Sequence, residues 1–257
     1  MPINKEQMQW KLHQKVRKSI MKAITTFWMI KENDKILLWI SGGKDSMLLA
    51  KMMCELRDYS HLNFQLKWVY MHKKFLMRCE VDFSHMEKFF DEIWLEMEYI
   101  DINLPSWSKL KEWIWISCQR CSYARRISMF KLCEKRWFNK IALWHHMDDT
   151  VTTLFMNMII NRNYSLMPPI NTMKKWDITI IRPLSFVREE DIMRLVKKEN
   201  IPFSPCTCPI WEKSKRKEIG NLVKLMEANY PGCIESIYFA NVKKFIEDYK
   251  DKNRVTD

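Results

Sequence analysis

Glycine is the residue that this sequence most clearly lacks. The 257-residue chain contains 4 glycines, whereas an average usage near 7% predicts about 18. It also contains 12 tryptophans, and the two counts together approach the expected number of glycines. We therefore hypothesise that several tryptophans stand where the cell inserts glycine, through a codon such as UGA that is decoded differently. The alternative is a protein that is simply rich in tryptophan.

Long apolar runs and a secretory leader are also missing. No apolar stretch reaches the roughly 18 residues that a membrane-spanning helix needs. The N-terminus, MPINKEQMQWKLHQK, has no apolar signal segment. We therefore expect a cytoplasmic protein without a membrane partner. In a reducing compartment the 8 cysteines are better interpreted as metal ligands, reactive thiols or small core residues than as disulfides.

Acidic residues are outnumbered. Lysine and arginine total 43 against 31 aspartates and glutamates, a formal net charge of +12. Such an excess indicates a polyanionic partner, and nucleic acid fits better than a membrane because no strongly apolar amphipathic segment accompanies the charge. Many soluble proteins are basic without a specific reason, so the charge alone leaves the partner open.

Short apolar runs alternate with helical patterns along the chain. The predicted strands are 35–40, 65–71, 93–102, 140–144 and 178–184. The predicted helices are 5–26, 45–56, 85–90, 121–136, 149–160, 189–199, 213–228 and 233–250. This alternation predicts an α/β fold with a Rossmann-like, mostly parallel sheet, helices on both of its faces, and further helices at the N- and C-termini.

The same pattern divides the chain into three parts. Residues 1–30 form an N-terminal helical segment, 31–204 form the nucleotide-binding core with a Cys-x2-Cys insertion, and 205–257 contain a cysteine loop and the C-terminal helices. Ligands of such sheets bind at the carboxyl ends of the strands, where the strand order reverses. The candidate functional residues should therefore lie after strands.

Some tryptophans occupy positions that are typical of glycine. Trp137 follows a helix that ends in CEKR, where a left-handed residue is expected. The full set that favours glycine by local pattern is Trp39, Trp137, Trp144 and Trp176. Trp28 and Trp68 are less diagnostic, because aromatic residues suit strands and cores.

The segment SGGKDS, residues 41–46, lies between a predicted strand and a predicted helix. Backbone N–H groups of a glycine-rich turn form an anion-binding nest, and the helix N-terminus adds partial positive charge. The candidate ATP-binding residues are Ser41, Gly42, Gly43, Lys44, Asp45 and Ser46. The spacing is not that of a Walker A motif. The segment resembles the loop of the N-type ATP pyrophosphatases, and an ordinary strand–helix turn is the alternative.

Cysteines form a second candidate site. Cys118 and Cys121 are three residues apart, and Cys206 and Cys208 lie on a downstream loop. Three or four thiolates from two distant segments suit an iron–sulfur cluster or zinc. The remaining cysteines are interpreted as small buried residues; they are Cys54, Cys79, Cys133 and Cys233.

The run HHMDD, residues 145–149, follows a predicted strand. Histidines and carboxylates at a strand end suit a nucleotide or Mg²⁺. His145 is the candidate nucleotide contact, and Asp148 is a candidate catalytic carboxylate, since a carboxylate can act as a base or as a helix cap. Asp149 is equally well explained as an ordinary residue of a helix N-terminus.

Together these motifs resemble the tRNA 2-thiocytidine (cytidine-32) synthetases of the PP-loop superfamily. SGGKDS, CQRC, SYARR, HHMDD, LMPPI, IIRPL and the PC-x-C loop occur in that family's order over roughly residues 8–240. The resemblance implies an adenine nucleotide alpha hydrolase-like fold and a [4Fe–4S] cluster held by three cysteines. Cys118 and Cys121 would be two of these ligands, and the third would be Cys208 or Cys206, because the family spacing of that loop is longer by one residue.

The sequence therefore predicts an ATP-dependent tRNA sulfurtransferase. It would adenylate C2 of cytidine 32 and replace the oxygen by sulfur, with Lys44, Asp45 and Asp148 as catalytic residues and Mg²⁺ and the cluster as cofactors. Its partners would be tRNA, ATP and a sulfur donor, either sulfide or a cysteine desulfurase; a homodimer is an open alternative to a monomer. Rival interpretations are a tRNA 2-thiouridine synthase, another user of the same loop such as an amidotransferase-type or lysidine synthetase, and a non-catalytic, zinc-stapled RNA-binding protein.

Overall fold

The computed structural model describes residues 5–72, 84–101, 118–204 and 214–254. Its α-helices are α1 (Lys5–Thr26), α2 (Lys44–Tyr59), α3 (Ser84–Glu92), α4 (Cys118–Arg136), α5 (Met147–Ile159), α6 (Glu189–Lys198), α7 (Lys215–Asn229) and α8 (Cys233–Arg254). Its strands are β1 (Lys35–Ile40), β2 (Gln65–His72), β3 (Met97–Asp101), β4 (Lys140–Ala142), β5 (Ile170–Met173) and β6 (Ile178–Ile181). A 3₁₀ turn covers Pro183–Phe186.

The strands form one six-stranded sheet in the order β3-β2-β1-β4-β6-β5. All neighbouring pairs are parallel except β5 with β6. From β1 the chain builds outward through β2 to β3 and then returns to place β4 on the other side of β1. The crevice between the carboxyl ends of β1 and β4 is therefore the point where strand order reverses, which is where ligands bind in such sheets.

Both faces of the sheet are covered, as predicted. Alternate residues of β1 enter two different cores: Ile36, Leu38 and Ile40 belong to one, and Leu37 and Trp39 belong to the other. The first core is completed by α1, α2 and α6, and the second by α4. A strand buried on both faces reads as a continuous apolar run, which is why KILLWI was recognisable in the sequence.

The N-terminal helix also follows its sequence pattern. Leu12, Val16, Ile20 and Ile24 are all buried, because a four-residue repeat places side chains on one face of a helix. The division of the chain into three parts remains a prediction. Among the residues described, no helix has the length and apolar character to cross a bilayer.

The third strand is shorter than predicted. Residues 93–102 were expected to be extended, but β3 begins at Met97. The segment before it closes helix α3 instead, since the Leu95 N–H donates to the Phe90 carbonyl at 3.1 Å. Ile93 and Leu95 pack in or against the core, but they belong to the end of α3 and not to the predicted strand.

The edge of the sheet also differs from the prediction. Strand β5 was not predicted; it has four residues, of which Asn171 and Thr172 are exposed, so it carries no apolar pattern. The last predicted strand ends early, at Ile181, because Pro183 begins the 3₁₀ turn and proline cannot donate to a ladder.

A charged cluster ties α1 to the rest of the core. The His13 ring lies 2.7 Å from a carboxylate oxygen of Glu199 and 2.9 Å from one of Glu55. Lys51 approaches the other oxygen of Glu199. Hydrogen bonds to Glu199 and Glu55 raise the pKa of His13 to about 9, so the ring is a cation at neutral pH.

This cluster predicts a specific pH dependence of stability. A histidine titrates near 6.5 in the unfolded chain, so the stabilisation from His13 is complete below that pH and is lost as the pH rises through about 9. His13→Gln is therefore expected to lower the free energy of unfolding at pH 6 more than at pH 10. Urea denaturation at both pH values measures it. The control is His61→Gln, which changes an exposed histidine in a loop. An equal loss of unfolding free energy at both pH values for His13→Gln would contradict the prediction.

Candidate active site

The segment SGGKDS forms the turn between β1 and α2. Gly42 has a φ of 81°, a left-handed conformation that glycine adopts freely. Ser46 Oγ lies 3.1 Å from Ser41 Oγ and donates to the Gly43 carbonyl at 2.8 Å. The serines therefore brace the turn from within. Helix α2 begins directly at Lys44, so its unpaired N-terminal N–H groups point to the same place, which is suited to a phosphate.

The lysine of this turn is held by two carboxylates. Lys44 Nζ is 2.9 Å from Asp45 and 3.0 Å from Glu189, the first residue of α6. Burial opposes the charge, but Asp45 and Glu189 raise the pKa of Lys44 above its ordinary value. The Lys44 ammonium group is therefore held in its charged form at the phosphate turn. Glu189 was not identified from the sequence.

The second histidine of the HHMDD run lies at the centre of an acidic cluster. His146 is buried, and its ring nitrogens lie 3.3 Å from Asp149, 3.6 Å from Asp148 and 3.8 Å from Asp45. Burial favours the neutral ring, yet the three carboxylates raise the pKa of His146 to about 9. The ring therefore links the phosphate turn on β1 to the segment after β4.

Each of the two aspartates after His146 is anchored by a distant segment. Asp148 accepts from the backbone N–H of Glu189 at 2.8 Å and from Arg188 at 3.3 Å. Asp149 accepts from Arg216 of α7 at 2.6 Å. Burial disfavours both charges, but His146 with these partners lowers the pKa values of Asp148 and Asp149. Asp148, predicted to be catalytic, thus holds the start of α6 beside the site, and Asp149 is more than a helix N-terminal residue.

The first histidine of the run has a different environment. Burial lowers the pKa of His145 to about 3, so this ring is neutral. Its Nδ1 atom and the Nε atom of Arg182 are enclosed without a hydrogen-bond partner among the described residues. Both groups interact electrostatically with Asp149. Unpaired buried polar atoms beside a crevice are consistent with a ligand that pairs with them.

Helix α4 reaches the same crevice from the other face of the sheet. The Arg125 guanidinium lies 5.1 Å from the centre of the Trp39 ring, and Trp39 packs edge-on against Trp144 with ring centroids 5.0 Å apart. Arg126 is close enough to contribute to lowering the pKa of Arg182. The start of α4 therefore brings two arginines to the carboxyl ends of β1 and β4.

The predicted cysteine ligands lie at the edges of what is described. Cys118 is the first residue of α4 and Cys121 lies one turn further; Cys206 and Cys208 lie outside the described residues. The backbone N–H of Ser204 donates to the Gly42 carbonyl at 2.8 Å. Within the described ranges no three histidines, cysteines or carboxylates are grouped as a metal site.

Comparison with known proteins agrees with this geometry. A PP-loop domain model matches residues 8–207. The tRNA-cytidine(32) 2-sulfurtransferase of Xylella fastidiosa (strain M23) is 34% identical over 240 residues, covering 89% of this chain and 76% of that protein. The enzyme of the same name from Stenotrophomonas maltophilia (strain K279a) is 34% identical over 238 residues, with 90% and 76% covered.

The chain belongs to the tRNA 2-thiocytidine synthetase family of PP-loop proteins. This membership confirms the resemblance drawn from the motifs, and with it the enzyme class, an ATP-dependent sulfurtransferase. The U34-tRNA thiolase NcsA of Methanococcus maripaludis with its [4Fe-4S] cluster has a TM-score of 0.71 at 20% identity, covering 90% of this chain and 80% of that one. That likeness confirms the Rossmann-like PP-loop fold.

Several residues of this PP-loop site were missed in the sequence. His146, Arg182, Arg188, Glu189 and Arg216 all contact or face the residues discussed above. A local signal existed for His146 alone, since in the pattern His146-x-x-Asp149 the Asp149 carboxylate accepts from the His146 backbone N–H at the start of α5. The others are brought in by packing between elements far apart in the chain.

Proposed function

We propose that this PP-loop protein adenylates C2 of cytidine 32 in the tRNA anticodon loop and exchanges its oxygen for sulfur. The identity to proteins named tRNA-cytidine(32) 2-sulfurtransferase over nearly the whole chain supports the reaction and the base. The single structural observation that carries the proposal is convergence: the phosphate turn and the flanks of both cysteine segments meet at the crevice between β1 and β4.

The phosphate turn supports the ATP-dependent half of the reaction. Cytidine O2 would attack the α-phosphorus of ATP, and the bond to pyrophosphate would break. Charge develops on the departing pyrophosphate, and Lys44 with the N-terminus of α2 is placed to stabilise it. Asp45 orients Lys44 and is the candidate ligand for Mg²⁺ among the loop residues.

The cysteine segments support the sulfur-transfer half. Ser204, two residues before Cys206 in the sequence, donates its backbone N–H to the Gly42 carbonyl of the phosphate turn. At the far end of the same segment, Arg216 bonds to Asp149. Helix α4 carries Cys118 and Cys121 one or two turns before Arg125, which covers Trp39.

These thiols suit an iron–sulfur cluster, since clusters are held by cysteine thiolates. Cys118 and Cys121 would hold it with either Cys208 or Cys206. Held by these three thiolates, the cluster would supply the sulfur for the exchange. The protein's own part would be to hold the activated C2 in the crevice, to exclude water and to keep Lys44 on the phosphates, so that AMP leaves with the former O2.

The basic surface supports tRNA as the partner. The net charge of +12 suits phosphate contacts, and bases in loops are the ones that proteins can reach. Arg125 and Arg126 place positive charge at the crevice itself. The sulfur donor, sulfide or a cysteine desulfurase, and a homodimer remain predictions from the sequence.

The decisive experiment uses protein purified without oxygen. Incubation with unmodified tRNA, ATP, Mg²⁺ and sulfide, followed by nucleoside mass spectrometry, is expected to yield 2-thiocytidine. Formation of 2-thiouridine would overturn the proposed base and keep the mechanism. Zinc without iron and no ATP turnover would favour a non-catalytic RNA-binding protein.

The cluster ligands predict a sharp contrast along one helix. Cys118→Ala is expected to abolish 2-thiocytidine formation and iron binding. Cys133→Ala on the same helix is the matched control: burial raises the pKa of Cys133 to about 12, so its thiol stays protonated and is unsuited to bind metal. Iron content and thionucleoside yield check both variants. Equal loss in the two would show that the effect is structural.

A further inference from the structure

Three helices of this protein end in the same motif, with tryptophan at its critical position. At the end of α1 the Met29 N–H donates to the Ile24 carbonyl at 3.0 Å, after α3 the Leu95 N–H donates to Phe90 at 3.1 Å, and after α4 the Phe138 N–H donates to Cys133 at 3.0 Å. Each bond spans six residues and is the defining bond of a Schellman motif. The residue before each donor occupies the left-handed position.

That residue is Trp28, Trp94 or Trp137. Their φ angles are 45°, 51° and 61°. A Schellman motif takes glycine at this position in most proteins, because a Cβ atom crowds the following carbonyl there. Helix α6 shows the usual substitute: Asn200 has a φ of 52° and the Ile201 N–H donates to Val196. Asparagine tolerates this conformation, whereas a bulky residue in it is an outlier.

The tryptophan side chains gain little that would offset this strain. Trp94 and Trp137 are 84% and 81% exposed, and Trp28 is 50% exposed with one loose ring contact to Tyr249. Trp68 is different: it is fully buried, stacks on Phe90 and donates its indole N–H to the Leu95 carbonyl. The structure gives an indole a role at position 68 and none at the three helix ends.

Two further tryptophans stand in the crevice. Trp39 lies near the carboxyl end of β1 and Trp144 just after β4, and their rings touch at the point where strand order reverses. Neither has a left-handed φ, nor does Trp176, so the backbone argument made from the sequence holds for Trp137 alone of its four positions. At Trp39 and Trp144 the reason is space: the two indoles pack together beside the phosphate turn, where the nucleotide of the proposed function would lie.

We infer that the protein made by its own cell has glycine at positions 28, 94 and 137, and through the same codon at positions 39 and 144. One reassigned codon accounts for the three helix ends and the two crevice positions, and it raises the number of glycines by five, from 4 to 9, closer to the expected number of about 18. For the two crevice positions the inference rests on the proposed function, since it presumes a bound nucleotide; for the helix ends it rests on backbone geometry alone.

The test reads the codon and the residue directly. In the source gene these five codons are expected to be UGA, and peptides of the protein purified from the cells that make it are expected to have the mass of glycine at each position. A UGG codon or a tryptophan mass at any of the three helix ends would overturn the inference. Glycine at the helix ends with tryptophan at 39 and 144 would overturn its crevice part.

These outcomes are separate from the fate of the proposed function. If glycine is found at all five positions and the protein forms no thionucleoside, the proposed function fails and the codon inference stands. If 2-thiocytidine forms and the peptide masses fit tryptophan, the proposed function stands and the codon inference fails.

Discussion

Protein with glycine at positions 39 and 144 is expected to bind ATP about 100-fold more tightly than protein with tryptophan at both, because overfilling a packed site costs roughly 1–3 kcal/mol and each ~1.4 kcal/mol is a factor of ten in affinity. The indoles of Trp39 and Trp144 meet at 5.0 Å between β1 and β4. Removing them opens the space next to the phosphate turn without touching Lys44. Isothermal titration with a non-hydrolysable ATP analogue measures the difference.

The same double variant is expected to lose stability when no nucleotide is bound. Trp39 is 6% exposed, and deleting a buried aromatic side chain costs roughly 3–5 kcal/mol. Because a ligand that binds only the folded state stabilises it, ATP should raise the Tm of the variant and leave that of the tryptophan protein nearly unchanged. A lower stability without nucleotide together with tighter ATP binding would indicate an opened site, whereas a general destabilisation would weaken both.

The control for this prediction is Trp137→Gly. Trp137 directly follows the last residue of α4, is 81% exposed and lies at the opposite end of this helix from Arg125, so its substitution should leave ATP affinity unaltered. If the double variant and the tryptophan protein bind ATP equally well, the two indoles do not block the nucleotide site.

Replacing Trp28, Trp94 and Trp137 together by glycine is expected to raise the free energy of unfolding by about 3 kcal/mol. A left-handed residue other than glycine costs roughly 1–2 kcal/mol at each site. Glycine also increases the conformational entropy of the unfolded chain, which reduces the gain in stability by up to about 1 kcal/mol per site. The three sites end different helices, so their effects should add. Urea denaturation of the triple variant and of each single variant measures the sum.

Trp10→Gly supplies the matched control of opposite sign. Trp10 is 66% exposed and lies within α1, where glycine is a poorer helix former than tryptophan by roughly 0.5 kcal/mol. This variant should therefore be less stable than the parent. A triple variant that is no more stable than the parent would show that the three helix ends tolerate tryptophan.

Much of the fold was predictable because its signals are local. The apolar runs of β1, β2 and β6 predict strands inside the sheet, and the four-residue repeat of α1 predicts a helix with one buried face; the structure contains all four elements. The phosphate turn was predictable for the same reason, since six consecutive residues brace it. The exposed strand β5 carried no such signal, and the apolar residues after α3 fitted either a strand or a helix end.

The candidate site was only half predictable. His145 and His146 are neighbours; His145 was predicted to contact the nucleotide, and the local pattern His146-x-x-Asp149 indicated only a helix start. The fold places His146 among three carboxylates and leaves His145 neutral and enclosed. Arg188 and Arg216 reach the aspartates from 40 and 67 residues away, a separation that no short motif encodes.

By itself the sequence determined the chemistry that is local to a turn: a phosphate loop at a strand end, cysteines one helical turn apart, and one helix end, at Trp137, that calls for glycine. These follow from backbone geometry and from contacts within a few residues. Only the tertiary structure decided which charged groups meet, that the rings of Trp39 and Trp144 pack together near the switch point, and that Ser204 and Arg216 reach the residues of the site. Such contacts arise because strand order and helix packing bring together residues that are far apart in the sequence. No local sequence pattern specifies which of these distant residues will meet.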